Sequence, residues 1–144
     1  MSADQLSEDW RARVVAEARS WVNTPYHHAA NLKGIGVDCA MLLVEVFKTV
    51  GVIEPSFDPR PYPKDWYLHR SEEIFMEGMF QYAKRVKSPQ PGDVALYRIG
   101  RTASHGAIVV DEQTMVHAYA GSRKVELCEL DCWISKLESY WTVI

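Results

Sequence analysis

Apolar residues in the first half of the chain recur with the period of a helix. Their spacing predicts an amphipathic helix over residues 9–22, and residues 39–50 form a second run that is apolar on most sides. This second run predicts a central helix packed within the core, and Gly51 is suited to follow its C-terminus. A proline-rich connection comes next, and an apolar stripe then predicts a third helix over residues 66–84.

The second half of the chain has a different pattern. After the turn SPQPGD come short runs rich in β-branched and aromatic residues, namely DVALYRI, HGAIVV, TMVHAY, KVELCEL and YWTVI. Polar or glycine-containing turns separate them, which is typical of antiparallel strands. Helices followed by strands predict an α+β fold with an antiparallel sheet, and the length of 144 residues predicts a single domain over residues 1–144.

Composition and charge limit the classes of partner that this domain is expected to bind. Its net charge of −3 gives no electrostatic reason to expect a nucleic acid partner. The first residues lack the basic start and apolar run of a signal peptide, and no window approaches the roughly 18 apolar residues of a membrane span. We therefore expect synthesis in the cytoplasm without membrane insertion. Three cysteines, an odd number, argue against a full disulfide framework.

One of these cysteines stands at the first turn of the predicted central helix. Asp38 is a favourable N-cap residue, which places Cys39 at the first helical position. The N–H groups and the dipole of a helix start stabilise a thiolate, so this position predicts a lowered thiol pKa. The same N–H groups can hold the oxyanion of an attacked carbonyl. The alternative is a small buried cysteine that only fills the core.

A thiolate nucleophile needs an imidazole beside it and a polar group that orients this imidazole. His105 opens one predicted strand, in SHGAIVV, and His117 lies in the next, in MVHAY. Two strands of a hairpin can bring these side chains together, whereas a shift of one residue in register would send His117 to the opposite face. Each histidine taken alone is also compatible with a surface or core position.

Several motifs together resemble the NlpC/P60 cysteine peptidases over roughly residues 14–125. They are TPY, DC at the start of an apolar helix, PGD, SHGAIVV and MVHAY. The stretch WVNTPYHHAANLKGIGVDC is most similar to the phage-encoded branch of that family, which is associated with tail assembly. The resemblance implies a papain-like fold in which the helix that carries the cysteine packs on an antiparallel sheet that carries the histidine.

The resemblance also implies a function. Members of this family cleave peptidoglycan stem peptides, typically between D-γ-glutamyl and diaminopimelate residues. A phage or prophage tail protein would be made in the cytoplasm without a signal peptide and would act at the bacterial cell wall. Its expected partners are the peptidoglycan peptide and other tail proteins.

The family's roles can be carried over residue by residue. Cys39 corresponds to the nucleophile, His105 to the general base and His117 to the residue that orients the imidazole. Tyr26, in TPY, corresponds to a tyrosine whose hydroxyl lies beside the nucleophile, although it is equally explained as a loop aromatic that covers the helix end. Asp38 is expected to cap the helix, to bind a substrate amine, or to do both.

Weaker expectations concern the neighbours of these residues. His28, which follows His27, is a candidate lining of the substrate groove, and Ser104 is a candidate support for the backbone of His105. The histidines and Cys39 do not follow a familiar spacing of metal ligands, so no metal and no other cofactor is expected.

Two other functions are also compatible with the sequence. The family commonly reads DCSG where this chain reads DCAM, so Ala40 lacks a hydroxyl that in some relatives holds the substrate N-terminus. This departure favours a structural tail-assembly protein with little activity. A thiol acyltransferase or amidase would use the same dyad on another acyl substrate, and an assay of its products would distinguish it from a peptidase.

Overall fold

Two helices predicted from the sequence form one layer of the fold. In the computed structural model, which describes residues 3–61, 72–99 and 102–144, helix α1 spans Ala3–Ser20 and helix α2 spans Cys39–Thr49. A small hairpin of β1 (Asn31–Leu32) and β2 (Gly36–Val37) lies between them in sequence. None of the described helices is long and apolar enough to cross a membrane.

Helix α2 begins and ends where the sequence predicts. The Asp38 carboxylate accepts a hydrogen bond from the backbone N–H of Met41 at 2.9 Å, which caps the helix and leaves Cys39 as its first residue. Val50 is the C-cap, and Gly51 follows with a left-handed φ of 87°. The apolar side chains of α2 are buried on most sides because α1 and the sheet both contact this helix.

The third predicted helix is shorter than the sequence pattern suggests. Helix α3 spans Glu72–Met79, while the predicted residues 66–71 lie outside the described part of the chain. Strand β3 occupies Lys84–Val86 and pairs with a strand from the C-terminal region, so the prediction of helix at residue 84 is wrong. Helix α3 ends before Phe80, whose ring packs edge-to-face on Phe47 with centroids 5.1 Å apart.

The strands of the second half form the antiparallel sheet. They are β4 (Val94–Ile99), β5 (Thr102–Val109), β6 (Thr114–Tyr119), β7 (Lys124–Glu129) and β8 (Leu137–Thr142). With β3, the described residues give a six-stranded sheet in the order β3-β8-β4-β5-β6-β7. A short helix α4 (Leu130–Trp133) connects β7 to the turn before β8. The α+β class and the antiparallel sheet are confirmed.

The two faces of this sheet are covered differently. Successive residues of a strand point to opposite faces. The helix face packs on α2 and includes Val94, Leu96, Ile108 and Val116. The histidine face carries the following buried side chains: Ala95, Tyr97, Ala107, Val109 and Met115, joined by Leu130 and Trp133 of α4, together with His105 and His117.

Gly106 marks the closest approach of α2 to the sheet. A Cβ at this position would lie 2.7 Å from Cδ1 of Leu43, a fully buried residue of α2. Gly106 therefore belongs to the helix face, and the alternation along β5 directs the neighbouring His105 to the histidine face. The register agrees, since His105 pairs with Tyr97, and both rings contact the ring of Trp133.

Candidate active site

The Cys39 thiol lies where the first turn of α2 meets strand β5. The residue is 2% exposed, and the backbone N–H groups of Gly106, Ala40 and Cys39 itself surround the sulfur. The Gly106 contact is available because the ladder between β5 and β6 is short, pairing Ile108 with Val116 and Val109 with Met115. At Gly106 the two strands have separated, and the N–H approaches the thiol.

The thiol pKa differs from the sequence prediction. Burial, with a smaller contribution from the adjacent Asp38 carboxylate, raises the pKa of Cys39 to about 12. The three N–H groups oppose this shift, as a helix start should, but they do not overcome the loss of water. The prediction of a lowered pKa is therefore wrong for this structure, and the thiol is neutral at neutral pH.

The two predicted histidines meet on the histidine face. His105 Nε2 lies 2.8 Å from His117 Nδ1, so the hairpin register brings the imidazoles together as the sequence suggested. His117 Nε2 in turn lies 2.8 Å from the Glu126 carboxylate on β7, the residue that pairs with it across the strands. Among the described residues no hydrogen bond joins Cys39 to His105; the thiol instead contacts the backbone N–H of Gly106, the residue that follows His105.

The Glu126 carboxylate determines which ring nitrogens of His117 and His105 carry protons. An ionised carboxylate only accepts hydrogen bonds, so His117 Nε2 carries the proton and its Nδ1 accepts. His105 must then donate from Nε2, which leaves a lone pair on its Nδ1. His105 is thereby prepared to accept a proton at Nδ1, and Glu126 is the residue that fixes this state.

Aromatic side chains enclose the histidine pair. Trp133 stacks on His105 with centroids 5.2 Å apart and meets His117 edge-to-face at 5.1 Å, while Tyr119 stacks on His117 at 5.6 Å. This enclosure removes water, and burial lowers the pKa of His105 to about 3, with the neighbouring His117 adding to the shift. Burial also lowers the pKa of His117, although the Glu126 hydrogen bond acts in the opposite direction.

Neither Glu126 nor Trp133 is predicted as a site residue from the sequence. Glu126 lies directly opposite His117 in the register of β6 and β7, so alignment of the two strands about the turn at AGSR would have placed it there. Trp133 had no comparable signal, because the short helix α4 that carries it has no apolar periodicity of its own.

Asp38 has the capping role that was expected. It is fully buried; Oδ1 accepts from the Met41 N–H, and Oδ2 accepts from the Ala29 N–H at 2.7 Å. His28 Nδ1 lies 3.7 Å from the same carboxylate. Binding of a substrate amine by Asp38 and lining of the groove by His28 stay predictions.

Tyr26 anchors the loop that precedes the nucleophile. Its backbone N–H donates to the Arg123 carbonyl at 2.9 Å, and it forms a parallel bridge with Val37, two residues before Cys39. The Tyr26 side chain is half-buried against the core, and the position of its hydroxyl beside the nucleophile stays a prediction. The Ser104 backbone lies in β5, but its side chain lies outside the described part of the chain.

One group of metal-ligand side chains adjoins the histidine pair. His117, Glu126 and Cys128 offer ligand atoms that all lie within 4.8 Å of one another. Two of these residues were not among those considered as ligands from the sequence.

Comparison with known proteins identifies the family and the fold. The family model described as NlpC/P60 family matches residues 23–142. The fold is similar to that of the NlpC/P60 domain of the peptidoglycan hydrolase SagA, with a TM-score of 0.61, 17% identity, and coverage of 92% of this chain and 97% of that one. No curated protein matches the sequence.

Two further solved structures have the same fold. The peptidoglycan hydrolase RipB from Mycobacterium tuberculosis gives a TM-score of 0.66 at 18% identity, with 98% of this chain and 67% of that chain covered. An NlpC/P60 family protein from Bacillus cereus gives 0.65 at 18% identity, with 90% of this chain covered. The match spans only 39% of the Bacillus cereus chain.

Proposed function

The chain belongs to the NlpC/P60 family, and from that premise we propose that it is a cysteine peptidase that hydrolyses amide bonds in peptidoglycan stem peptides. Cys39 is the nucleophile, His105 the general base and acid, and His117 the residue that orients the base. The observation that carries this proposal is the unbroken series of hydrogen bonds from His105 through His117 to Glu126. The Cys39 thiol at the start of α2 contacts the N–H of Gly106, the residue next to His105.

The resting site holds a neutral thiol and a neutral imidazole. Because burial raises the pKa of Cys39 to about 12 and lowers that of His105 to about 3, an ion pair is not the resting form. Proton transfer therefore accompanies attack: the sulfur bonds to the substrate carbonyl carbon while the thiol proton passes to His105 Nδ1. The imidazolium that forms is supported by His117, which accepts from Nε2 and is itself held by Glu126.

Backbone amides at the helix start serve the next step. The N–H groups of Cys39 and Ala40 lie at the sulfur in the resting site, and in this proposal they donate to the oxygen of the attacked carbonyl, on which negative charge develops. His105 then gives its proton to the leaving amine, the carbon–nitrogen bond breaks and a thioester remains. Water attacks the thioester and gives a proton to His105, and the leaving Cys39 sulfur then takes that proton, so a free acid and the resting enzyme are regenerated.

The expected bond is that between D-γ-glutamyl and diaminopimelate residues, and the expected setting is a phage or prophage tail that reaches the bacterial cell wall. Support for both comes from the resemblance of WVNTPYHHAANLKGIGVDC to the phage-encoded branch of the family. The peptidoglycan hydrolases among the structural neighbours agree with a cell-wall substrate.

A product assay tests the proposal. Purified protein is incubated with muropeptides that contain the D-γ-glutamyl–diaminopimelate bond, and mass spectrometry identifies the fragments. Hydrolysis adds one water across that bond, and Cys39→Ala abolishes it. Transfer to an added amine, giving a new amide in place of a free acid, would instead identify an acyltransferase.

A structural tail-assembly protein is the second candidate. The specific observation in its favour is the thiol itself, which is nearly fully buried and neutral. Absence of hydrolysis by folded wild-type protein, on a panel of stem peptides, would favour this candidate over the peptidase.

A further inference from the structure

Three side chains of different chemistry converge on the histidine face beside the relay of His105, His117 and Glu126. His117 and Glu126 pair directly across β6 and β7, and Cys128 lies two residues further along β7, on the same side of that strand. A ring nitrogen, a carboxylate oxygen and the thiol sulfur lie within 4.8 Å of one another. His117 Nδ1 is engaged with His105, so Nε2 is the nitrogen that faces Glu126 and Cys128.

We propose that His117, Glu126 and Cys128 form a zinc site that switches off the catalytic histidine. Imidazole, thiolate and carboxylate are the three ligand types that zinc binds, and three protein ligands leave a fourth position open to water. Zinc bonds of about 2.0–2.3 Å in a tetrahedral site set ligand atoms about 3.3–3.8 Å apart. His117 Nε2 and the Glu126 carboxylate, now 2.8 Å apart, must therefore separate slightly, and small side-chain rotations complete the site with Cys128. The thiolate and the carboxylate together balance the charge of the ion.

The surroundings of Cys128 favour this use. The Cys128 thiol donates to the Glu129 carbonyl at 3.7 Å, and the Trp133 ring packs against His117. Contacts that hold the sulfur and the imidazole orient ligands in the way that outer contacts do in metal proteins. Cys128 is half-buried and Glu126 partly exposed, so an ion can enter from solvent.

Zinc at this site reverses which imidazole donates in the hydrogen bond between His105 and His117. The consequence for catalysis rests on the proposed function. Binding to His117 Nε2 takes the position of the proton that Glu126 holds. The neutral imidazole then carries its proton on Nδ1 and donates to His105 Nε2. His105 in turn carries its proton on Nδ1, which is the atom that must accept the thiol proton, so the base is blocked.

The protons balance in this exchange. Each imidazole keeps one proton, which moves from Nε2 to Nδ1 in both rings. The single proton released to solvent comes from the Cys128 thiol, which becomes a thiolate ligand. Cys39 takes no part, so the inhibition differs from direct capping of the nucleophile by the metal.

Binding is measured first, with Zn²⁺ alone and untagged Cys39→Ala protein, by isothermal titration calorimetry. This background removes the nucleophile as a ligand. We expect one zinc per chain, and an affinity at least about tenfold weaker when Cys128→Ser is added. Cys132→Ser, a change at an exposed cysteine four residues away, is the matched control and should leave the affinity unchanged.

The histidine tautomers give a direct view of the switch. Nitrogen NMR of the same Cys39→Ala protein should show the proton of His117 moving from Nε2 to Nδ1 when zinc is added, and that of His105 following. Glu126→Gln provides a second variant for the binding measurement if Cys128→Ser does not fold, as judged by its thermal unfolding.

The last measurement is the effect of zinc on peptidase activity. Zinc should inhibit the wild-type enzyme reversibly, with chelator restoring the rate, and the inhibition constant should rise at least about tenfold in Cys128→Ser, each rate being normalised to that variant's own metal-free value. Zinc binding that disappears in Cys39→Ala, or that is indifferent to both Cys128→Ser and Glu126→Gln, would overturn the site. Zinc binding and a tautomer shift in a protein without peptidase activity would leave the site standing and remove the proposed function instead.

Discussion

The helix face and the histidine face of the sheet both bury reactive groups, but the surroundings of these groups differ. On the helix face the buried Asp38 carboxylate accepts from two backbone N–H groups, while the Cys39 thiol beside it remains neutral. On the histidine face the buried imidazoles are linked to a partly exposed carboxylate, Glu126, through hydrogen bonds of 2.8 Å.

This difference shows how one effect can keep both the proposed nucleophile and its proposed base uncharged. Burial disfavours the charged form of each group, so it raises the pKa of a thiol and lowers that of an imidazole. The helix start and Glu126 both oppose burial, and neither overcomes it. Both groups are therefore uncharged in the resting protein.

The largest expected effect comes from deleting either member of the pair. Cys39→Ala and His105→Ala should each lower muropeptide hydrolysis by about 10³-fold or more, because one removes the nucleophile and the other its base. The rate of product formation by mass spectrometry checks this. Cys132→Ala, at an exposed cysteine, is the control. Hydrolysis that survives in Cys39→Ala would place the nucleophile elsewhere.

Glu126→Gln tests whether the histidine face depends on its carboxylate. An amide can donate to His117 Nε2 as well as accept from it, so the tautomer of the relay is no longer fixed. We expect kcat to fall on the order of 10–100-fold with little change in KM, and the pH profile of kcat to shift.

Glu129→Gln, at the exposed end of the same strand, is the matched control for this change. A loss of activity in Glu126→Gln that follows thermal stability, with an unchanged pH profile, would reduce Glu126 to a structural residue.

Gly106→Ala tests how closely α2 must approach the sheet. The added Cβ would lie 2.7 Å from Cδ1 of the buried Leu43, so we expect a loss of about 1–3 kcal/mol in the free energy of unfolding. Leu43→Ala in the same chain should remove this clash, so the two losses should be less than additive in denaturant titrations. Gly78→Ala, where nothing lies within 4 Å, is the control. Strict additivity of Gly106→Ala and Leu43→Ala would contradict the clash.

The smallest effect concerns the charge beside the thiol. Because the pKa of Cys39 is raised, its alkylation should be slow at neutral pH and should increase with pH well above the ~8.5 of an ordinary cysteine. Asp38→Asn keeps an N-cap side chain but removes the charge, so the pKa should fall and the curve should move to lower pH by a fraction of a unit to about one unit.

Labelling with iodoacetamide, followed at Cys39 by peptide mass spectrometry in a Cys128→Ser/Cys132→Ser background, measures both curves. A wild-type curve that is already complete at pH 7 would show a thiolate and would contradict the raised pKa.

Local patterns predicted those parts of the molecule that local forces determine. The start of α2 at Cys39 followed from the capping preference of Asp38, and the meeting of His105 with His117 followed from the hairpin between β5 and β6. Strand β3 was missed because its partner, β8, lies more than fifty residues further along the chain.

The chemistry of the site likewise depended on contacts between residues that are far apart in the sequence. The thiol pKa was predicted in the wrong direction because the helix start is visible in the sequence, whereas the packing that removes water from Cys39 is not. Glu126 escaped notice because its role depends on the register of β7 against β6.

The place of β8 in the sheet bears on how the protein is made. This strand is the last of the described strands along the chain, yet it lies between β3 and β4 and pairs with both. During translation α2 and the hairpin of β5 and β6 emerge well before β8, so β4 has one unpaired edge and β3 no β8 beside it for that interval. Unpaired strand edges invite pairing with other chains. Slow synthesis of the last segment would therefore lengthen the period in which the nascent protein is prone to aggregate, and a chaperone that covers this edge should raise its yield.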